Sequence, residues 1–64
     1  MKATINTLPD CPWCIKAKAL LDLKRIEYTE VNGKVDNWPT VPYIVIDGQE
    51  VGGFVELARF VRTI

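Results

Sequence analysis

Cys11-Pro12-Trp13-Cys14 is the stretch that decides the fold, because it lies where a short apolar strand gives way to a helix. It contains both cysteines of the 64-residue chain. Two thiols separated by two residues can exchange a disulfide for two electrons, and the partial positive charge of a helix N-terminus stabilises the attacking thiolate. The motif therefore predicts a redox site at the start of a helix.

The same spacing of cysteines occurs in zinc sites. A structural zinc ion takes four Cys or His ligands, and this chain has two cysteines and no histidine. One copy therefore cannot complete a tetrahedral site, and we expect no metal and no tightly bound cofactor. A binding module in which two chains share a zinc ion or an iron–sulfur cluster is an alternative of a different class.

Composition predicts one small globular domain, which we place at residues 1–64. Eight acidic residues balance eight basic ones, so no charge excess indicates nucleic acid or a membrane surface as a partner. The N-terminal residues lack the apolar run of a signal peptide, and no stretch approaches the roughly 20 apolar residues of a membrane span. We therefore expect a cytoplasmic, reducing compartment and a monomer.

Hydrophobic periodicity and turn residues predict six elements in the order β-α-β-β-β-α. They span Lys2–Asn6, Trp13 to about Lys24, Ile26–Val31, Tyr43–Ile46, Gln49–Val51 and a helix from Phe54 onward. The first two strands, joined by a helix, should be parallel, and Asp47-Gly48 predicts a tight hairpin between the last two. The expected architecture is an α/β fold with one mixed four-stranded sheet and two helices.

The apolar pattern of each helix predicts which side is covered. In the first helix Cys14, Ala17 and Leu21 form one stripe, and Ile15, Ala19 and Leu23 form a second, so we expect cover on more than one side. In the last helix the predicted inward residues are Phe54, Leu57, Ala58, Val61 and Ile64, and the predicted outward residues are Glu56, Arg59 and Arg62.

Four segments in order resemble those of a glutaredoxin, a member of the thioredoxin-fold superfamily. They are Cys11-Pro12-Trp13-Cys14, Ala17-Lys18-Ala19-Leu20-Leu21, Thr40-Val41-Pro42 and Val51-Gly52-Gly53-Phe54, against the family forms C-P-Y-C, A-K-x-x-L, T-V-P and I/V-G-G. The resemblance covers nearly the whole chain. It implies a minimal thioredoxin/glutaredoxin fold and a thiol–disulfide oxidoreductase with glutathione as co-substrate and disulfide-bearing proteins as substrates.

The resemblance and physical reasoning agree on the catalytic cysteines. Cys11 precedes the helix, so its sulfur can face the helix N–H groups and solvent, whereas Cys14 lies one turn further in. Cys11 is thus expected to be the low-pKa nucleophile and Cys14 the resolving thiol. Asp10 opposes thiolate formation, and Lys16 or Lys18 can compensate, although both are equally explained as solvated surface charges.

The resemblance also implies a binding surface for glutathione or substrate. Pro42 is expected to be cis and to face the disulfide. The N–H groups from Gly52 to Val55 form an expected anion site for a glutathione carboxylate, with a simple turn as the alternative. Trp13 is expected to form a groove wall, or else to be an exposed aromatic without a ligand. The expected contacts are Trp13, Val41, Pro42, Gly53, Phe54 and Val55.

The chain also departs from the family pattern. Only residues 32–39 fill the gap in which relatives have a helix, so we expect lost apolar cover that Trp38 partly replaces. Contact with a substrate is the less favoured alternative for Trp38. Leu8 and Val55 replace a lysine and an aspartate or serine that help to hold the glutathione carboxylates in relatives. The alternative function is therefore a redoxin of this fold that receives its electrons from thioredoxin reductase. Under the leading hypothesis they come from glutathione and glutathione reductase. Such a redoxin would pass its electrons to another enzyme, such as ribonucleotide reductase.

Overall fold

The computed structural model describes residues 1–63, and Ile64, predicted to face inward, lies outside them. The elements are β1 (Lys2–Thr7), α1 (Pro12–Leu23), β2 (Glu27–Asn32), β3 (Tyr43–Ile46), β4 (Gln49–Gly52) and α2 (Phe54–Arg62). The sheet has the order β2-β1-β3-β4. Strand β1 pairs with β2 in parallel and with β3 in antiparallel, and β4 is antiparallel to β3. The predicted order, fold class and hairpin are confirmed.

One face of the sheet carries the hydrophobic core. Side chains alternate across β1, so Ala3 and Ile5 point to the same side, where they pair with Ile46 and Ile44 of β3. These four side chains are buried, together with Ala17 and Leu21 of α1 and Leu57 and Val61 of α2. Both helices therefore cover the same face. Complete burial of each large aliphatic side chain contributes about 1.5–3 kcal/mol to stability.

The other face of the sheet explains how the fold tolerates the short connection between β2 and β3. Within residues 1–63 no helix lies in that connection. The residues that alternate with the core positions in β1 and β2 include Thr4, Thr29 and Glu27, which are polar and exposed. Trp38 packs on Tyr43 of β3, with ring centroids 5.8 Å apart. Most of this face is therefore polar and needs little apolar cover, which Trp38 supplies near Tyr43, while Val31 stays 42% exposed.

The expectation that α1 is covered on more than one side is wrong. The stripe that contains Cys14, Ala17 and Leu21 is buried, but in the second stripe Ile15 is 63% exposed and Leu23 is 75% exposed. Helix α1 packs its buried stripe against the core face of the sheet, so the second stripe points away from the core toward solvent. In α2, by contrast, Leu57 and Val61 are buried as predicted.

The turns follow the chemistry of their residues. Asp47 and Gly48 both have positive φ, +51° and +79°, which is the backbone conformation that a tight two-residue hairpin requires. The N–H of Gly33 donates a hydrogen bond of 2.7 Å to the carbonyl of Thr7, so the loop after β2 is fastened to the end of β1. In residues 1–63, no helix has the length and apolar character that crossing a membrane requires.

Candidate active site

The two cysteines form a disulfide at the N-terminus of α1, with Cα atoms 5.2 Å apart. Cys11 is the N-cap residue, and its Sγ accepts a hydrogen bond of 3.1 Å from the backbone N–H of Cys14. Pro12 occupies the first turn, where a missing N–H costs nothing. Asp10 lies in the turn before the helix and adopts φ +59°.

Burial distinguishes the two sulfur-bearing side chains. Cys14 is 2% exposed and belongs to the buried side of α1, whereas Cys11 is partly exposed. A helix places the residue three positions further along on the same side and one turn deeper, which explains the difference. An incoming thiol or disulfide can therefore reach Cys11 more readily than Cys14.

The Val41–Pro42 segment lies beside the disulfide. The peptide bond between Val41 and Pro42 is cis, as predicted. The Sγ of Cys11 lies 3.9 Å from the carbonyl oxygen of Val41. Pro42 is buried and Val41 is partly exposed, so Val41 is the residue of this pair that a ligand can approach more readily.

A groove of about 420 Å³ starts next to the disulfide, between this segment and the N-terminus of α2. All six residues predicted to bind glutathione or substrate line it: Trp13, Val41, Pro42, Gly53, Phe54 and Val55. Trp38, Thr40 and Glu56 line it as well. Sequence reasoning assigned Trp38 to core cover, placed Thr40 only in a motif, and treated Glu56 as an outward charge.

Trp13 forms one wall of the groove. It is 51% exposed, and its ring lies against Phe54 with centroids 5.5 Å apart. The ammonium of Lys16 lies 4.4 Å from the centroid of the Trp13 ring, within the range of a cation–π contact. The ammonium of Lys16 therefore contacts Trp13 at the rim of the groove.

Trp38 forms another part of the groove and packs closely against the glycine pair. A Cβ atom at Gly52 would lie 2.9 Å from Cη2 of Trp38, and Gly52 also has φ +113°. A Cβ atom at Gly53 would lie 3.9 Å from the indole Nε1. A side chain at Gly52 would therefore collide with the indole of Trp38, which explains the glycine at this position.

The expected anion site at the start of α2 is already partly filled. The N–H of Gly53 donates a hydrogen bond of 3.0 Å to Oε1 of Glu56. This contact is one half of a capping box, in which Gly53 is the N-cap residue and Glu56 follows it by three positions. A glutamate at this spacing is a sequence signal for the contact. The N–H groups of Phe54 and Val55 lie in the first helical turn and lack helical acceptors. A ligand carboxylate would therefore share this site with the carboxylate of Glu56.

A second cleft, of about 470 Å³, borders both cysteines and shares no lining residue with the groove. Leu8 lies in this cleft and not in the groove. Lys18 and Glu30 also line it and form an ion pair of 3.1 Å. A hydrogen bond from the Thr7 hydroxyl, followed by those from Lys18, lowers the pKa of the Glu30 carboxyl.

Metal ligands are few in the part of the chain that the structure describes. Within residues 1–63, no group of three or more His, Cys, Asp or Glu side chains is placed to hold a metal ion. A metal site built from this chain would therefore need ligands from a second molecule.

Comparison with known proteins places these features in a family. The family model described as Glutaredoxin matches residues 3–51. Glutaredoxin 1 of Rickettsia prowazekii is 42% identical in an alignment of length 66 that covers 83% of this chain and 70% of the relative. Glutaredoxin 1 of Rickettsia typhi is 43% identical in an alignment of length 68 that covers 83% of this chain and 64% of the relative. The chain thus spans about two thirds of the length of these relatives.

A solved structure shares the fold. Glutaredoxin 1 of Francisella tularensis, crystallised in complex with cacodylate, superposes with a TM-score of 0.86 at 26% sequence identity. The superposition covers 97% of this chain and 93% of that one.

Proposed function

Because this chain belongs to the glutaredoxin family of thiol–disulfide oxidoreductases, we propose that it reduces glutathione mixed disulfides and protein disulfides, and that glutathione returns it to the dithiol form. Cys11 is the nucleophile and Cys14 the resolving thiol. The observation that carries the proposal is the position of the Cys11 sulfur: partly exposed, at the N-cap of α1, and 3.9 Å from the Val41 carbonyl beside the groove.

The first step is attack by the Cys11 thiolate on a substrate disulfide. A bond forms between the Cys11 sulfur and one substrate sulfur, and the other substrate sulfur leaves as a thiolate that takes a proton from solvent. The N–H of Cys14, which donates to the Cys11 sulfur at 3.1 Å, stabilises the attacking anion. The positive end of α1 acts in the same direction.

The mixed disulfide can then be resolved in two ways. Cys14 can attack the Cys11 sulfur, which forms the intramolecular disulfide and releases the substrate as a thiol. Alternatively, a glutathione thiolate attacks a mixed disulfide between Cys11 and glutathione, which frees Cys11 and produces oxidised glutathione. Glutathione reductase would regenerate glutathione, and a reducing compartment such as the cytoplasm would supply both.

The groove is the proposed binding surface for the glutathione portion or for the peptide around a substrate cysteine. The proposed contacts are Trp13, Val41, Pro42, Gly53, Phe54 and Val55, with Trp38 as an added wall. The backbone of Val41, a partly exposed residue, can pair with an extended peptide as a short added strand. The side chains of Trp13 and Phe54 then flank the bound chain.

The decisive experiment is turnover of the mixed disulfide of glutathione and 2-mercaptoethanol, with glutathione, glutathione reductase and NADPH supplied. We expect turnover that Cys11→Ser abolishes. Cys14→Ser should retain part of it, because this substrate can be resolved by glutathione alone. Full activity in the Cys11→Ser variant would contradict the assigned roles.

A second candidate function has a specific observation in its favour. Leu8 and Val55 offer no charge to a glutathione carboxylate, and Glu56 already occupies the N–H of Gly53. These features favour a redoxin that thioredoxin reductase reduces. Three results together would establish that candidate. The protein would not turn over the mixed disulfide, and thioredoxin reductase would reduce it. Its reduction potential would be about −270 mV, as in thioredoxin, and not about −200 to −230 mV, as in glutaredoxins.

A further inference from the structure

The cleft beside the disulfide holds an ordered polar network that attack by Cys11 does not use. The ammonium of Lys18 donates to both oxygens of Glu30, at 3.1 and 3.3 Å. The hydroxyl of Thr7, a residue only 3% exposed, donates to Glu30 at 2.7 Å. The network joins Lys18 of α1 to Glu30 of β2 and Thr7 of β1, so the Lys18 side chain is held in one position. An exposed ion pair by itself stabilises a fold very little.

Lys18 is placed to act on Cys14. It follows Cys14 by four residues on α1, so the two side chains lie on the same side of the helix, with Cβ atoms about 5–6 Å apart. Both residues line the cleft. A lysine ammonium has three protons, and the two hydrogen bonds of Lys18 to Glu30 leave one of them for another acceptor.

Cys14 needs such help more than Cys11 does. To resolve a mixed disulfide it must first lose its proton, and it is buried, which disfavours the thiolate. The charged groups that face the cysteine pair are Asp10, Lys18 and Glu30 in the cleft, and Lys16 and Glu56 near the groove. Within residues 1–63, Lys18 is the only cation that lines the cleft.

We propose that Lys18, held in place by Glu30 and Thr7, is a positioning residue that stabilises the thiolate of Cys14 for closure of the disulfide. In that step the Cys14 thiol loses its proton to solvent. Its thiolate attacks the Cys11 sulfur, the bond between Cys11 and the substrate breaks, and the substrate thiolate leaves and takes a proton from solvent. Over the initial attack and this closure together, the two cysteines lose two electrons and the substrate disulfide gains two. The carboxylate of Glu30 opposes the effect, but it also accepts a hydrogen bond from Thr7, so Lys18 is not its only partner.

The first test measures ionisation of Cys14 alone, in the Cys11→Ser background, from the ultraviolet absorbance of the thiolate as a function of pH. Lys18→Met should move the midpoint of ionisation upward by about half a pH unit or more. Lys18→Arg, which keeps the charge, should restore most of the shift. The matched control is Lys16→Met, which removes an equal charge from the same helix but outside the cleft, and it should move the midpoint much less.

The second test measures closure of the disulfide in the two-cysteine protein. The protein is prepared with glutathione bound to Cys11, and release of glutathione is followed in a single turnover. For a half-unit shift the thiolate fraction falls about threefold, while the remaining thiolate is a somewhat better nucleophile, so Lys18→Met should slow release about twofold.

An unchanged midpoint in Lys18→Met, or an equal shift in Lys16→Met, would overturn the proposal. The inference builds on the proposed function for its second test only. If mixed-disulfide turnover fails but the Cys14 midpoint depends on Lys18, the proposed function is wrong and the role of Lys18 stands.

Discussion

The indole of Trp38 occupies the space that a side chain at Gly52 would need: a Cβ atom there would lie 2.9 Å from Cη2 of Trp38. This packing joins the short connection after β2 to the end of β4. Trp38 also packs on Tyr43, whose hydroxyl donates a hydrogen bond of 2.8 Å to Glu50. The connection between β2 and β3 is therefore short but anchored, and its anchor is also part of the groove.

Gly52→Ala should destabilise the protein by about 2–4 kcal/mol, because it adds a clash with Trp38 to the cost of φ +113°. The measurement is urea unfolding at neutral pH. Gly48→Ala is the matched control, since Gly48 also has positive φ but has no atom within 4 Å of the Cβ position. Only the conformational cost, about 1 kcal/mol, is expected there. Equal losses in the two variants would show that the contact with Trp38 is unimportant.

Leu21→Ala and Leu23→Ala should differ strongly, although the two residues lie two positions apart in α1. Leu21 is fully buried and its truncation should cost about 2–5 kcal/mol, whereas Leu23 is 75% exposed and its truncation should cost under about 0.5 kcal/mol. Chemical denaturation of both variants measures the difference. A large loss for Leu23→Ala would mean that the outer stripe of α1 is covered in solution.

Trp13→Ala should raise KM for a glutathione mixed disulfide several-fold and change kcat less, because Trp13 is a wall of the groove and its side chain takes no part in the exchange of sulfur bonds. Steady-state kinetics measure the two parameters. Trp13→Tyr retains an aromatic wall and serves as the control. Unaltered kinetics in Trp13→Ala would mean that Trp13 is an exposed aromatic side chain that binds no ligand.

Thr7→Val should make stability less dependent on pH at the acid end. The hydrogen bond from Thr7 lowers the pKa of Glu30 below its usual 4.5, so its stabilising effect is present above that value and is lost as pH falls through the lowered pKa. The difference in urea midpoint between the native protein and Thr7→Val should therefore be largest near pH 6 and shrink toward pH 3. A difference that grows on acidification would contradict this assignment of the Thr7–Glu30 bond.

The strands and helices could be anticipated because they depend on local chemistry. Alternating apolar residues predicted β1, Asp47-Gly48 predicted the hairpin, and Pro12 after Cys11 predicted the start of α1 within one residue. The six proposed contact residues could be named because motifs far apart in the chain resembled those of one family. The structure then places all six around a single groove.

Other features could not be read from the chain. The outer stripe of α1 has the same periodicity as a covered one, and only the packing of α1 against the sheet shows that Ile15 and Leu23 point toward solvent. Nothing local indicated that Lys18 would pair with Glu30, since they meet only when α1 packs beside β2.

The sequence by itself determined the redox chemistry and the order of elements, because thiol spacing, helix capping and hydrophobic periodicity act between residues that are neighbours in the chain. Only the tertiary structure decided what surrounds the disulfide. Trp38 in the groove and the Thr7–Glu30–Lys18 network in the cleft depend on strand register and on which face of the sheet the helices cover. Those contacts join residues distant in sequence, and their energies exist only after the sheet has formed.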